Sequence, residues 1–240
     1  MDIIIAPAKQ MRIVDDFPLS LSKPIYINKT KELLDHLKSL DFQELKKVLS
    51  ASDKIVKQAY DNFQNMDLDK DLSPALLAYN GIQYKYMTPN VFTDEQFEYV
   101  NKHLYILSGF YGLVKPLDGI VNYRLEMQAK CPFSLYEFWS SDLADGLTDT
   151  VILNLASEEY AKCIRPYRKL VDVRFLEEDH GKLKEKGVYA KMARGSMVNY
   201  LSQIQAKTLE QVKQFDQQGY HFDSSLSDDT TITFIRKKTG

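Results

Sequence analysis

Cysteine is scarce in this chain of 240 residues: Cys131 and Cys163 are the only two, and no CxxC or other paired spacing connects them. Two isolated thiols exclude a disulfide framework and fit a reducing compartment, where they are expected as buried structural residues rather than redox sensors. Histidine is equally sparse, and His36, His103, His180 and His221 are scattered without an HExxH or His/Cys spacing. No zinc or iron site is therefore expected, and Asp228-Asp229 reads as a turn. A Walker A loop and a strand–GxGxxG–helix unit are both missing, which removes support for ATP hydrolysis and dinucleotide redox chemistry. Ser108 and Ser157 lack the GxSxG context of a nucleophile elbow, and no cofactor is implied. There is no long uncharged apolar run and no basic segment leading into one, so a cytoplasmic protein with no membrane partner is expected.

What is present suits a globular protein. The chain is 44% hydrophobic and 27% charged, enough to bury a sizeable core. Its net charge of −2 hides an uneven distribution. Residues 1–161 are acidic, whereas residues 162–194 hold ten basic residues against five acidic ones, Arg165, Arg168 and Lys169 among them. Such a stripe is the footprint of polyanion contact, and equally that of a solvated charged hairpin.

Residues 108–127, SGFYGLVKPLDGIVNYRLEM, concentrate the chemistry. They follow an apolar run at 103–107 that reads as a buried strand, and polar loops past such strands carry sites in α/β proteins. An extended Tyr123-Arg124-Leu125-Glu126 puts Arg124 and Glu126 on one face. Similar strand ends occur at PAK (7–9), NLASEEY (154–160) and YAKMARG (189–195), the last read as a strand running into a helix. Lys9, Lys115, Arg124, Asn154, Lys191 and Arg194 are thus candidates to converge on one cleft, joined by Asn80, Tyr84, Ser108, Tyr111, Tyr123, Glu126 and Ser157. Lys9, Arg124, Glu126 and Lys191 are the candidates for acid–base or Schiff-base chemistry. Each cation taken singly also reads as a surface or ion-pair residue.

Helical periodicity predicts helices over 30–40, from Asp41 with Glu44 at capping-box spacing, and from Ser52 or Asp53 with Ile55, Val56, Ala59, Tyr60 and Phe63 inward. Strands are expected at 75–79 and 151–155, with a turn at Asn80-Gly81 and a helix starting at Thr93 or Asp94. Helix is expected over 135–139 and 143–147. A hairpin follows over 170–189 about HGK (180–182), then a helix over 191–204 burying Tyr189, Ala193, Met197, Leu201 and Ile204, and a closing hairpin over 219–236. These elements describe a mixed α/β (α+β) chain, one domain over 1–240, with a central mixed sheet, flanking helices and a helical-hairpin region at about 30–64.

The strings PAK, NG followed by Tyr84, LSGFYGLVKPLD (107–118), YRLEM (123–127), YEFW (136–139), NLASEEY, YAKMARG and FDQQGYHFD (215–223), in this order, resemble the YaaA family of bacterial peroxide-stress resistance proteins. The resemblance implies a DNA-binding protein of the oxidative-stress response that limits iron-driven DNA damage, with a helix-hairpin-helix element. Lys46, Lys47, Lys54 and Lys57 would serve that element, together with Arg165, Arg168, Lys169, Lys191 and Arg194. Its partner would be double-stranded or distorted DNA. The usual hairpin glycines are replaced here by Ser50, Ala51 and Ser52. The alternative is an enzyme acting on a nucleotide or nucleobase in the cationic cleft. A deep pocket of about 300–1,000 Å³ favours the second, and an open groove as wide as a duplex the first.

Overall fold

The fold is organised around its first strand. In a computed structural model describing residues 1–237, β1 (Asp2–Ile5) is buried along its whole length. Three consecutive isoleucines suit a strand covered on both faces, as parallel sheets require. The chain continues through β2 (Gln10–Met11), α1 (Ile27–Ser39), α2 (Phe42–Leu49), α3 (Asp53–Asn65), β3 (Ser73–Pro74), α4 (Ala75–Ala78), β4 (Tyr79–Asn80), α5 (Ile82–Met87) and α6 (Asp94–His103) to β5 (Leu104–Ser108). There it pairs parallel to β1, with Ile3 opposite Leu104. β6 (Gly112–Val114) folds back antiparallel on β5, and β7 (Gly119–Ile120) pairs with β3.

After α7 (Leu135–Trp139) and α8 (Asp142–Asp145), β8 (Ile152–Leu155) pairs parallel to the other side of β1. Then come α9 (Glu158–Ala161), β9 (Val171–Asp179), β10 (Lys182–Lys184), α10 (Gly187–Gln203), α11 (Leu209–Lys213), β11 (His221–Phe222) and β12 (Thr231–Lys237). The main sheet runs β11-β12-β9-β8-β1-β5-β6, with β10 on β9. It is mixed: five parallel strands carry antiparallel additions at both edges and beside β9.

Local sequence explains much of this. Asp41 and Glu44 form a reciprocal capping box at 2.8 Å each way and start α2. Ser50, in the left-handed region at φ 45°, closes α2, and Ala51-Ser52 lead straight into α3. Thr93 caps α6 with Gln96 in the same way. Asp2 is 2% exposed and accepts from the amides of Thr148 and Asp149 at 2.7 and 2.9 Å, tying the approach to β8 to the start of β1.

The structure differs from expectation at several places. Residues 75–79 are not a strand: Ala75–Ala78 form α4 between two short strands. The Ala75 and Leu76 amides bond to the carbonyls of Asp118 and Pro116, and burial all round leaves no periodicity to separate helix from strand. Asn80-Gly81 is not a hairpin turn, since Asn80 pairs with Gln10 and Gly81 caps α5. YAKMARG lies wholly inside α10, which starts at Gly187 because β10 already ends at Lys184. Ile55 is 37% exposed, and Tyr189 and Ile204 are 38% exposed, so these three leave the expected buried stripes.

Helices α5 and α10 touch through Gly195: a Cβ there would stand 2.0 Å from the Gln83 carbonyl oxygen. Backbone cannot yield as a side chain can. Gly195→Ala is expected to destabilise the protein by about 3 kcal/mol or to prevent folding, read from denaturant unfolding. His103 Nδ1 lies 3.1 Å from the Met1 carbonyl, and burial, helped by the N-terminal ammonium, pulls the imidazole below its usual value. The unfolded chain therefore takes up this proton at higher pH than the folded one. Its stabilisation is complete above about pH 6.5 and is lost as pH falls below that value. Thermal melts from pH 8 to 5 are expected to show this decline, and His103→Gln to reduce it.

Candidate functional site

Strand β1 is a switch point. The chain leaves it for β5 on one side and later reaches β8 on the other, so the loops beyond the C-terminal ends of β1 and β8 diverge and leave a crevice. A cavity of about 370 Å³ lies there. Ala6–Gln10 continue from β1, Ser157, Glu159 and Tyr160 follow β8, residues 80–84 come from β4 and α5, and residues 123–126 cross one wall. Lys191 and Arg194 arrive from α10.

The segment 123–127 alternates as an extended chain does: Tyr123, Leu125 and Met127 are buried, and Arg124 and Glu126 turn the other way. Glu126 Oε1 stands 2.7 Å from Arg124 Nη2 and 3.1 Å from Lys9 Nζ, so one carboxylate sits between two cations. Arg124 Nη1 also donates to the Lys9 carbonyl at 3.4 Å. Arg194 is 13% exposed in its side chain and pairs with Glu185 at 3.1 Å. Burial lowers its proton affinity from the ordinary arginine value, while Glu185 and Asp172 oppose that shift.

Three buried donors at this site have no hydrogen-bond partner among the described residues: Arg124 Nε, Arg194 Nε and Gln83 Nε2. Glu126 Oε1, though beside two cations, also lacks a hydrogen bond of good geometry. Buried polar groups are nearly always paired, so these three donors and one acceptor mark a place for complementary groups of a ligand. The wall also carries three tyrosines, Tyr84, Tyr123 and Tyr160. Tyr84 donates to the Ala6 carbonyl at 3.0 Å, and Tyr123 shares hydrogen bonds with Tyr79 at 2.8 Å and Ser108 at 2.7 Å. Burial pushes the Tyr123 phenol up to about 12 and raises Tyr84 and Tyr160 well above the usual value. These phenols are neutral at physiological pH.

Of the cleft candidates, Lys9, Asn80, Tyr84, Tyr123, Arg124, Glu126, Ser157, Lys191 and Arg194 line this cavity. Four lie elsewhere. Ser108 is buried beneath it, holding Tyr123 and the amides of Phe110 and Tyr111. Tyr111 is fully buried and accepts from the Val121 amide. Asn154 bonds Asp172 at 2.7 Å and the Ala156 amide at 2.9 Å, joining β8 to β9. Lys115 is carried by the β5–β6 hairpin back past Val114, which pairs with Ile106, and its ammonium stands over the Tyr105 ring. Gln83, Glu159 and Tyr160 line the cavity in addition to the residues expected there. Gln83 adjoins Tyr84 in sequence, and Tyr160 follows Ser157 by three residues, a spacing that shares one side of a helical turn.

The remaining basic candidates mostly have partners. Lys46 pairs with Asp53 at 2.5 Å and Lys57 with Asp61 at 3.8 Å. Arg165 pairs with Glu158 and Asp172, both at 2.9 Å, and Arg168 donates to the carbonyls of Ala144, Leu147 and Asp149. Lys47, Lys54 and Lys169 have no ion-pair partner among the described residues. No cluster of three or more His, Cys, Asp or Glu able to hold a metal occurs among the described residues, and no helix there is long and apolar enough to cross a membrane. Burial pushes the Cys131 and Cys163 thiols up to about 11 and about 12. The native thiols are therefore expected to react with iodoacetamide at pH 7.5 far more slowly than those of the unfolded chain, read by mass spectrometry.

Fold and site together define a mixed α/β protein with a cation-lined pocket at the switch point of its sheet. The family of peroxide stress protein YaaA matches residues 1–226, and the chain belongs to that family. It is 48% identical over 246 residues to a UPF0246 protein of Desulfitobacterium hafniense, covering 98% of each chain. It is 45% identical over 247 residues to a UPF0246 protein of Agathobacter rectalis, covering 99% of each. A UPF0246 protein of Lactiplantibacillus plantarum is 44% identical over 245 residues, covering 98% of this chain and 99% of its own.

Proposed function

We propose that this protein serves the response to peroxide stress through its pocket, which binds a compact anionic ligand with a planar body, of the nucleotide or nucleobase class. Membership of the peroxide stress family supports the setting. The observation that carries the ligand class is the set of unpartnered buried donors, Arg124 Nε, Arg194 Nε and Gln83 Nε2, in a cavity of about 370 Å³. Four cations, Lys9, Arg124, Lys191 and Arg194, outnumber Glu126 and Glu159 on its walls, which favours an anion. Tyr84, Tyr123 and Tyr160 are the aromatic side chains on its wall, each largely buried, and are the candidates to meet a ring. The volume falls within the range of about 300–1,000 Å³ typical of small-molecule sites. Glu126, between Lys9 and Arg124, is the candidate proton acceptor if the ligand is also a substrate. Calorimetric titration with a 5′-mononucleotide is expected to give saturable binding. Arg124→Ala and Arg194→Ala are each expected to weaken it about tenfold or more, as loss of a charge-assisted hydrogen bond does. No heat and no thermal shift with any nucleotide, nucleoside or base would overturn the proposal.

A second reading, binding of double-stranded or distorted DNA to limit iron-driven damage, is favoured by one observation. The α2–α3 hairpin is tight, and Lys47 and Lys54 stand near its turn without ion-pair partners among the described residues. Lysines there would contact phosphates and read shape rather than sequence. Fluorescence anisotropy of fluorophore-labelled short duplexes of unrelated sequence across a salt series tests this. Steeply salt-dependent binding is expected, with the slope reduced by about one for each of Lys47→Ala and Lys54→Ala. No binding at low salt would remove this reading.

A further inference from the structure

A second cavity, of about 310 Å³, adjoins the first and shares Asn80 and Tyr84 with it. The β2–β4 ribbon, in which Gln10 pairs with Asn80 and Met11 with Tyr79, contributes to both: Gln10 and Asn80 line the first cavity, Tyr79 and Asn80 the second. The second cavity has cations and no carboxylate among its lining residues. Arg12 is held there by two bonds, Nε to the Leu77 carbonyl at 2.8 Å and Nη2 to Asn90 Oδ1 at 2.7 Å. Its Nη1 is left without a partner among the described residues. Lys85, on α5, has no ion-pair partner there either. A guanidinium fixed on two sides with a free edge is pre-organised to meet an anion, since little rotamer freedom remains to be lost.

From these features we propose that the two cavities form one bipartite site. In it Arg12 and Lys85 hold a second anionic unit of a ligand whose first unit occupies the pocket at Arg124 and Arg194. The ligand is a two-unit nucleotide, with a phosphate-bearing second unit reaching past Asn80 and Tyr84. This rests on the nucleotide reading of the first pocket. The acidic groups of that pocket, Glu126 and Glu159, have no counterpart in the second cavity, which is therefore the more purely anion-selective half. Asn80, whose side chain makes no hydrogen bond among the described residues, borders both halves and is free to bond the linkage between the two units.

The experiment compares a 5′-phosphorylated dinucleotide with the matching 5′-mononucleotide by calorimetric titration of the full chain. The dinucleotide is expected to bind about tenfold more tightly, the effect of one added charge-assisted contact. Arg12→Gln and Lys85→Gln are expected to abolish that gain and to leave mononucleotide affinity unchanged. Because Arg12 also bridges Leu77 and Asn90, the surface variant Lys85→Gln carries the test if Arg12→Gln melts at a lower temperature. Equal affinity for the two ligands, or a gain that survives Lys85→Gln, overturns the bipartite site while the first pocket stands. Absence of mononucleotide binding overturns both.

Discussion

The burial of β1 between two parallel neighbours is the constraint on which the rest of the molecule depends. A strand covered on both faces and paired on both edges has no solvated side, so every residue from Asp2 to Ile5 must be satisfied inside the protein. Asp2 meets this by accepting two amides from the turn before β8, and the isoleucines by packing into the core. With β5 and β8 on opposite sides of β1, the loops that follow β1 and β8 diverge beyond the strands' C-terminal ends. The crevice that results is a topological consequence, and the loops after β1 and β8 have no choice but to border it.

What fills that crevice is decided by side-chain packing one layer out. Gly195 lets α10 approach the backbone of α5 closely enough to bring Arg194 and Lys191 beside Gln83 and Tyr84. Gly109 does the same beneath the motif loop, where a Cβ would stand 2.6 Å from the Leu125 carbonyl. The hydroxyl group of Tyr123, bonded by Ser108 and Tyr79, fixes the floor. Charge is arranged on top of this frame: Glu126 neutralises part of Lys9 and Arg124, but the inner nitrogens of Arg124 and Arg194 are left unbonded. Donors held in place before any ligand arrives lose little freedom on binding, which is how a rigid cationic pocket selects acceptor-rich molecules.

Both functional readings use positive charge, but at different depths. The pocket holds Arg124 and Arg194 at partly buried positions, where an anion would be desolvated and strongly felt, while Lys9 and Lys191 are exposed at its rim. The lysines of the α2–α3 hairpin are on the surface, where screening weakens each contact and only several together hold a polyanion. Lys46, Lys57, Arg165, Arg168 and Arg194, five of the basic candidates for DNA contact, are already engaged by Asp, Glu or carbonyl oxygens within the fold.

The sequence by itself determined the elements whose patterns are local. The apolar run of β1 and β5, the capping box at Asp41, the helix start at Thr93, the short α2–α3 connection and the alternation through Tyr123–Glu126 are all legible because each depends on neighbours a few residues away. So was the pooling of Lys9, Arg124, Glu126, Lys191 and Arg194, since each follows or adjoins a recognisable string. Tertiary structure decided the rest. Residues 75–78 became a helix because distant carbonyls at Pro116 and Asp118 took their amides. Lys115 was turned away by a hairpin whose reversal at Gly112, with φ +77°, no residue count reveals. Asn154 was drawn to Asp172 by a strand pairing eighteen positions along the chain. Gln83 and Tyr160 entered the pocket through the packing of α5 and α9, since side-chain direction at a helix end follows from what the helix is packed against.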